Sequence, residues 1–346
     1  MPKGNIEKNI GGNVRGGNVM KRIGLAGALC ALVALAASAV VALADDYPSH
    51  PITMMVGFPP GGPTDTLARI LAEAMKKTLG QSIVIDDVTG ASGTIATGRV
   101  VHAPADGYTI GIGNWSSHVG SPALYPLDYD VLKDLQPISL LTASPLWILA
   151  KNDLPPKTPA ELYAWLKTRT KPVTFGTVGA GSPAQLVGIE LAKAIGAHFQ
   201  YVPYRGAAPA MTDLVAGQID MACLEASGTY PNVAAGRFKA FAVTTDKRWP
   251  KSPDTPTLIE TGVPGVSLAF WHGLWATKGI ALPVVDKLVA AVQAALADPA
   301  TKQRIEGLGQ VIFPAAQQNP AGLAAYQTAE IKKWWPVMQS AGIKAE

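Results

Sequence analysis

The chain has 346 residues, of which 29 are Lys or Arg and 25 are Asp or Glu, and 48% of its residues are hydrophobic. This length exceeds one average domain and predicts two, each large enough to bury its own core. Five of the basic residues and one acidic residue precede residue 45, so residues 45–346 contain 24 of each, without a clustered basic run. A nucleic-acid partner, which would require a basic face, is therefore not expected.

The first 44 residues have the layout of a secretory signal peptide. Met20-Lys21-Arg22 precedes the apolar stretch Ile23–Leu43, and Ala42-Leu43-Ala44 before Asp45 forms an A-x-A cleavage site. We expect cleavage here and a periplasmic protein; an uncleaved anchor is the alternative, because the stretch is long enough to span a bilayer. Cleavage leaves Cys223 as the only cysteine, so no internal disulfide is expected.

Strand and helix patterns alternate after this segment. Strands are predicted at Ile52–Val56, Ile83–Ile85 and Tyr108–Ile112, with helices at Leu67–Leu79 and Ile95–His102 between them. This alternation is typical of a parallel sheet with crossover helices.

The loop after the first strand is rich in Gly and Pro. Its residues are Gly57, Phe58, Pro59, Pro60, Gly61, Gly62, Pro63, Thr64 and Asp65. Its glycines allow a ligand close to the backbone, and the helix start supplies unpaired N–H groups and a positive dipole end. The loop therefore predicts a seat for a carboxylate or phosphate. The alternative is a plain βα turn in which Thr64 or Asp65 only caps the helix.

A second series of elements follows, in which the strand, glycine loop and helix recur. Its strands are predicted at Pro137–Leu141, Leu146–Ala150, Val173–Thr177, Phe199–Val202, Ile219–Leu224 and Phe238–Thr244. Its helices are predicted at about 159–168, Ala184–Ile195 and Ala210–Ala216. The second glycine loop, Val178-Gly179-Ala180-Gly181-Ser182, lies before the helix that starts at Ala184.

The last hundred residues contain one long apolar run and three helical patterns. The run Val266–Ala276 exceeds an ordinary strand, so we expect a bend in it. Helices at Val284–Ala297 and Pro299–Leu308, a short strand at Gln310–Phe313 and a final amphipathic helix over about 320–339 follow. We infer two α/β lobes, with residues 45–142 and 245–346 forming lobe 1 and residues 143–244 forming lobe 2. Two crossings between the lobes, near 140–146 and 243–248, would form the hinge.

Cofactor and catalytic motifs are weak. Gly179-Ala180-Gly181-Ser182-Pro183-Ala184 matches G-x-G-x-x-A, but the following strand, Phe199–Val202, ends without the acidic residue that binds a ribose. No serine lies in a G-x-S-x-G elbow, and the histidines lack the pairing of a zinc site. No cofactor, metal or catalytic group is therefore expected. A periplasmic enzyme remains an alternative, with Asp65, His118 and Glu225 as its candidate groups.

Several short segments, in this order and spacing, carry a resemblance to a known family. They are Pro60-Gly61-Gly62-Pro63-Thr64-Asp65 with Ala68-Arg69, Gly90-Ala91-Ser92-Gly93, Ala105-Asp106-Gly107-Tyr108-Thr109, Tyr129-Asp130 through Asp134, Gly179-Ala180-Gly181-Ser182, Val202-Pro203-Tyr204-Arg205-Gly206-Ala207-Ala208-Pro209-Ala210, Thr255-Pro256-Thr257 with Glu260-Thr261-Gly262, and Trp271 with Gly273-Leu274. From about Tyr47 to Lys344 the chain resembles the Bug-type periplasmic solute-binding proteins of tripartite tricarboxylate transporters.

The resemblance implies a two-lobed, Venus-flytrap fold: each lobe a mostly parallel sheet flanked by helices, closing on one small organic carboxylate. It implies that the loops Phe58–Asp65 and Thr177–Ser182 hold the carboxylate through backbone N–H groups, hydroxyls and waters. It further implies that residues from two other strand ends border the cleft, namely Ser116, Ser117, His118, Tyr204, Arg205, Gly206 and Ala207. From its own position, Arg205 could either clamp a carboxylate or form an ion pair elsewhere. The implied partner is a membrane permease, and we expect a monomer; a ligand sensor for a membrane receptor is the alternative.

The chain departs from the family pattern at Leu224-Glu225, where an Asp-Asn pair is expected. Relatives that bind amino or polar groups would use that Asp. Leu224, together with Trp115, Trp147, Trp271 and Trp275 as candidate apolar walls, favours an aromatic or otherwise apolar carboxylate. Core packing is the alternative for these tryptophans and is favoured for at least two of them.

Overall fold

The computed structural model describes residues 47–343, so the predicted signal peptide and its cleavage site lie outside the described residues. Within this range no helix is long and apolar enough to cross a membrane. The described chain is an α/β protein in which helices flank a twisted mixed sheet.

The first elements confirm the predicted βα alternation. Strand β1 (Ile52–Val56) pairs in parallel with β2 (Ile83–Asp87) and with β3 (Thr109–Asn114). Helix α1 (Pro63–Leu79) connects β1 to β2, and helix α2 (Thr94–Val101) connects β2 to β3. The apolar face of α1, which includes Leu67, Leu71 and Met75, is fully buried, so the 3.6-residue period correctly located the helix.

The two strands predicted at Pro137–Leu141 and Leu146–Ala150 form one strand, β4 (Leu135–Lys151). The prediction of two separate strands is therefore wrong, and β4 pairs with a later strand, β9 (Ala269–Thr277), as far as Pro145. From Leu146 onward it pairs with other strands instead. Long-range pairing therefore overrides the local pattern, and β4 runs through both halves of the sheet.

The second half of the sheet also follows the predicted order. Its strands are β5 (Val173–Thr177), β6 (Phe199–Pro203), β7 (Met221–Glu225) and β8 (Phe238–Val243). Its helices are α3 (Pro159–Lys167), α4 (Pro183–Ile195), α5 (Ala207–Val215) and α6 (Ala226–Ala234). Helix α6 was not predicted, because its residues include Gly228, Pro231 and other weak helix formers.

The last part of the chain returns to the first half of the sheet. It contains β9, then helices α7 (Leu282–Ala297) and α8 (Pro299–Gly307), the short strand β10 (Val311–Ile312) and helix α9 (Pro320–Ser340). β9 lies between β3 and β4 and is antiparallel to both, and β4 is antiparallel to β7 and β8. The strand order β2-β1-β3-β9-β4-β7-β5-β6 is therefore mixed; the pairs β1-β2, β1-β3, β5-β6 and β5-β7 are parallel.

Candidate functional site

A cavity lies where the start of α1, the end of β3 and the end of β7 meet. Its walls are mainly apolar, and they are formed by Phe58, Pro59, Pro63, Leu146, Val178, Ala207, Cys223, Leu224 and Phe270, together with the backbone of Gly62. Three residues add polar side chains, namely Thr64, Asn114 and Glu225. An apolar cavity with few polar groups is the usual form of a site for a small organic molecule.

The first glycine loop is held by a carboxylate from within its own helix. Gly61 has a φ of +78° and donates its N–H to Asp65 Oδ2 over 2.8 Å. The other oxygen of Asp65 lies 2.7 Å from Arg69 Nε. Gly62, rather than Thr64 or Asp65, is the N-cap of α1. Asp65 is thus buried beneath the loop as a positioning group, and neither it nor Gly61 lines the cavity.

Thr64 connects three elements through its hydroxyl group. Asn114 Nδ2 donates to Thr64 Oγ1 over 3.1 Å, and His272 Nε2 lies 3.1 Å from the same oxygen. Asn114 is oriented in turn, because its Oδ1 accepts the backbone N–H groups of Ser116 and Ser117 at 3.0 and 3.3 Å. Burial lowers the pKa of His272 to about 3, so its ring is neutral. This network fixes a hydroxyl and an amide at the polar side of the cavity.

The second glycine loop repeats the geometry of the first. Gly181 has a φ of +72° and donates its N–H to Gln185 Oε1 over 3.0 Å, as Gly61 does to Asp65. Ser182 is the N-cap of α4, and its Oγ accepts from Gln185 N at 3.3 Å. From this loop only Val178 lines the cavity; Thr177, Gly179, Ala180, Gly181 and Ser182 do not.

The loops of the two halves contact one another. Ser92 Oγ donates to Ala180 O over 3.0 Å. A Cβ atom at Gly206 would lie 2.5 Å from Pro59 Cδ, so Gly206 allows these loops to meet although it does not line the cavity. These contacts bring loops from the two halves of the sheet together.

The predicted cleft residues Ser116, Ser117 and His118 form a buried π-helical turn at the end of β3. Ser117 Oγ lies 2.9 Å from His118 Nδ1, and the His118 ring stacks on Trp275 at 3.7 Å. Burial lowers the pKa of His118 to about 3. Ser117 and His118 line a separate, smaller pocket with Gly57, and they do not line the cavity.

Tyr204 and Arg205 lie on an open groove beside Gly179 and Ser92, not in the cavity. Tyr204 donates its hydroxyl to Asp213 Oδ2 over 2.6 Å, and burial raises the pKa of Tyr204 to about 12. Arg205 is exposed, and within residues 47–343 it forms no ion pair. Ala207, which starts the next helix, does line the cavity.

Glu225 brings a buried carboxyl group to the end of β7. Burial raises its pKa to about 7, and hydrogen bonds from Ser227 and Ser144 oppose this rise in part. Leu224 precedes it and also lines the cavity. These two residues occupy the position at which the sequence departs from the expected pattern.

Sequence reasoning did not assign Asn114, Leu146, Cys223 or Phe270 to the site, whereas Val178 lies in the predicted loop Thr177–Ser182. Asn114 lies at the end of β3 and Cys223 lies near the end of β7, so a position at a strand end was the available signal for both. The tryptophans expected as apolar walls, Trp115, Trp147, Trp271 and Trp275, are buried in the core, and none lines this cavity. Phe58 and Phe270 supply the aromatic surface instead.

Comparison with known proteins gives consistent matches along most of the chain. Residues 67–343 match a family model described as "Tripartite tricarboxylate transporter family receptor". The solved structure of the periplasmic binding protein BugD is 38% identical and has a TM-score of 0.81, and the match covers 87% of this chain and 100% of that one. MatC from Rhodopseudomonas palustris with bound malate is 37% identical, with a TM-score of 0.80 and coverage of 84% and 99%. The R. palustris protein Rpa4515 with adipate is 32% identical, with a TM-score of 0.83 and coverage of 87% and 100%.

Proposed function

Because the chain belongs to the tripartite tricarboxylate transporter receptor family, a family of two-lobed solute-binding proteins rather than enzymes, we propose that it captures a small organic carboxylate in the periplasm. The ligand occupies the cavity lined by Thr64, Asn114 and Glu225 and is delivered to a tripartite membrane permease. One observation carries this proposal: a largely apolar cavity joins the start of α1 to the ends of β3 and β7, with polar groups at few points.

The residues that line the cavity indicate which chemical groups the ligand carries. The start of α1 offers a positive dipole end and the Thr64 hydroxyl, which suit a carboxylate. Phe58, Leu224 and Phe270 suit an apolar body, aliphatic or aromatic. The relatives with malate and adipate, both small carboxylates, support this class of ligand.

Closure between the lobes would trap the ligand. β4 pairs with β9 up to Pro145 and with β7 from Leu146, which supports one crossing at this point. We propose the second crossing near Leu268 rather than at residue 245, because Leu258 donates its N–H to Val243 O and Leu268 donates to Thr244 O before β9 begins. The second lobe would then comprise residues 146–268.

A thermal-shift screen of the purified protein against aromatic and aliphatic mono-, di- and tricarboxylates tests the proposal. A ligand present at 100 times its Kd adds about 2.7 kcal/mol to the free energy of unfolding, which gives a clear shift. We expect a shift with at least one acid, and that acid recovered unchanged. A panel without any shift would contradict carboxylate binding.

Deletion of the gene in the cell distinguishes a transport function from a sensing function. Deletion of the gene is expected to abolish uptake of the bound acid if the protein serves a permease. Unchanged uptake, with loss of a transcriptional response to the acid, would favour a sensor.

A further inference from the structure

Glu225 is a buried carboxyl group whose two oxygens differ in their surroundings. Oε1 accepts hydrogen bonds from Ser144 Oγ at 2.7 Å, from Ser227 Oγ at 2.6 Å and from Gln310 Nε2 at 3.2 Å. Oε2 is also buried but has no hydrogen-bond partner among residues 47–343. The residue as a whole is only 5% exposed and lines the cavity.

The donors around Oε1 determine where a proton on this carboxyl group resides. Gln310 is oriented by Thr142, whose hydroxyl donates to Gln310 Oε1, so the Gln310 amide presents its Nε2 to Glu225. Three donors occupy the acceptor capacity of Glu225 Oε1. A proton on Glu225 therefore belongs on Oε2, where it makes this atom a hydrogen-bond donor.

Among residues 47–343 no cationic side chain forms an ion pair with Glu225 to keep it ionised. The titratable groups on the elements packed around it include His272, Cys223, Tyr230, Asp65 with Arg69, and Lys151 with Asp220, and Lys251, Lys302 and Glu306 line a pocket with Gln310. Within the described chain none of them forms a hydrogen bond or ion pair with Glu225. His272 is neutral, burial raises the pKa of the Cys223 thiol, and burial likewise raises the pKa of Glu225 to about 7.

We propose that Glu225, as a carboxylic acid, donates a hydrogen bond from Oε2 to a second carboxylate of the ligand, so that the protein binds a dicarboxylate together with one proton. The inference rests on the proposed function, since it specifies the ligand of the same cavity. A ligand carboxylate disfavours the ionised form of a neighbouring carboxyl group, and an O–H···O⁻ bond is short and strong. The proton comes from solvent and remains on Glu225 while the ligand is bound. A ligand with an ammonium group would instead require an ionised Glu225 whose Oε2 accepts a hydrogen bond from the ammonium group.

Isothermal titration with succinate, adipate and suberate, and with hexanoate and benzoate as monocarboxylate controls, tests this inference. Titration at pH 8 in buffers of different ionisation enthalpy counts the protons taken up on binding. We expect at least one dicarboxylate to bind with uptake of nearly one proton. Its Kd should rise by about tenfold for each pH unit above 7, or about 100-fold between pH 6 and 9.

The variant Glu225→Gln keeps an acceptor for Ser144 and Ser227 and places a permanent N–H donor at the position of Oε2. We expect it to bind the same dicarboxylate without proton uptake and with a Kd that changes less than twofold between pH 6 and 9. Wild-type binding without proton uptake would overturn the inference even if the variant does not fold. Loss of dicarboxylate binding in a folded Glu225→Gln protein would also overturn it.

The controls separate this inference from the proposed function. If only hexanoate or benzoate binds, the carboxylate-binding function stands and the role of Glu225 is wrong. If no acid binds, both are wrong.

Discussion

The backbone N–H of Gly61 donates to Asp65 Oδ2 over 2.8 Å, so the loop at the start of α1 is held by a carboxylate four residues along the chain. Gly181 and Gln185 make the corresponding contact at the start of α4. Each glycine has a positive φ, and each loop has Pro at the first helical position, Pro63 and Pro183. The two halves therefore present matching loops to the cleft.

Replacing Asp65 with Ala should destabilise the protein. The change removes the acceptor for Gly61 N–H and the partner of Arg69, and we expect the free energy of unfolding to fall by about 1–3 kcal/mol. Equilibrium unfolding in denaturant measures the free energy of unfolding of the variant and of the wild-type protein. Asp86→Ala is the matched control, because the Asp86 side chain is half-exposed and its only ion pair, with Arg99, is long at 4.0 Å within the described residues. Equal stability of the two variants would show that the contact to Gly61 has no structural role.

Replacing Thr64 with Val keeps the shape of the side chain and removes the hydroxyl. Asn114 and His272 lose their shared partner, which costs about 1–3 kcal/mol for each buried polar group left unpaired. We expect weaker ligand binding by titration together with this loss of stability. Thr66→Val is the control: Thr66 is a partly buried residue in the first turn of the same helix, and we expect its replacement to change neither the ligand affinity nor the stability.

Replacing Gly206 with Ala should weaken ligand binding without straining the backbone. Its φ of 166° is extended and accepts any residue, but the new methyl group would lie 2.5 Å from Pro59 Cδ. The two loops must then separate, so we expect a higher Kd and a more open shape by small-angle scattering. Gly307→Ala is the control, since a Cβ there meets no atom within 4 Å. An unchanged Kd would contradict a closed cleft as the binding form.

Glu225 should make the unliganded protein less stable as the pH rises. Its ordinary pKa is 4.5 and its pKa in the folded protein is about 7, so between these values only the folded state keeps the proton. The free energy of unfolding should fall by about 3 kcal/mol from pH 4.5 to 7 relative to Glu225→Gln. Urea unfolding of both proteins across this range measures the difference. Parallel pH profiles would mean that Glu225 is already ionised at pH 5.

His118 should make the protein less stable as the pH falls, which is the opposite of the effect of Glu225. Its pKa is lowered from 6.5 to about 3, so as the pH falls through this window only the unfolded state binds a proton and stability is lost. Removing this group in His118→Asn should reduce the pH slope by about 1.4 kcal/mol per unit. His198→Asn, at an exposed histidine, is the matched control. The same result for both variants would locate the acid sensitivity elsewhere, for example at His272.

Most of the helices and strands could be predicted from local pattern. The period of Leu67, Leu71 and Met75 located α1, and the Gly and Pro residues located the loops before α1 and α4. The predictions that failed involve neighbours distant in sequence. β4 was divided in two because its pairing with β9 cannot be recognised from residues 135–151 alone.

The sequence alone determined the family, the two glycine loops and the chemistry available at the strand ends, because these depend on residues close together in the chain. Only the tertiary structure decided that Asp65 lies behind the loop while Asn114, Glu225 and Phe270 line the same cavity as Thr64. The physical reason is register: β9 pairs antiparallel with β3 and β4, and this pairing, which no local pattern specifies, brings His272 to Thr64 and Phe270 to the cavity wall. The ionisation of Glu225 likewise depends on burial by segments up to 85 residues away, and therefore on the fold as a whole.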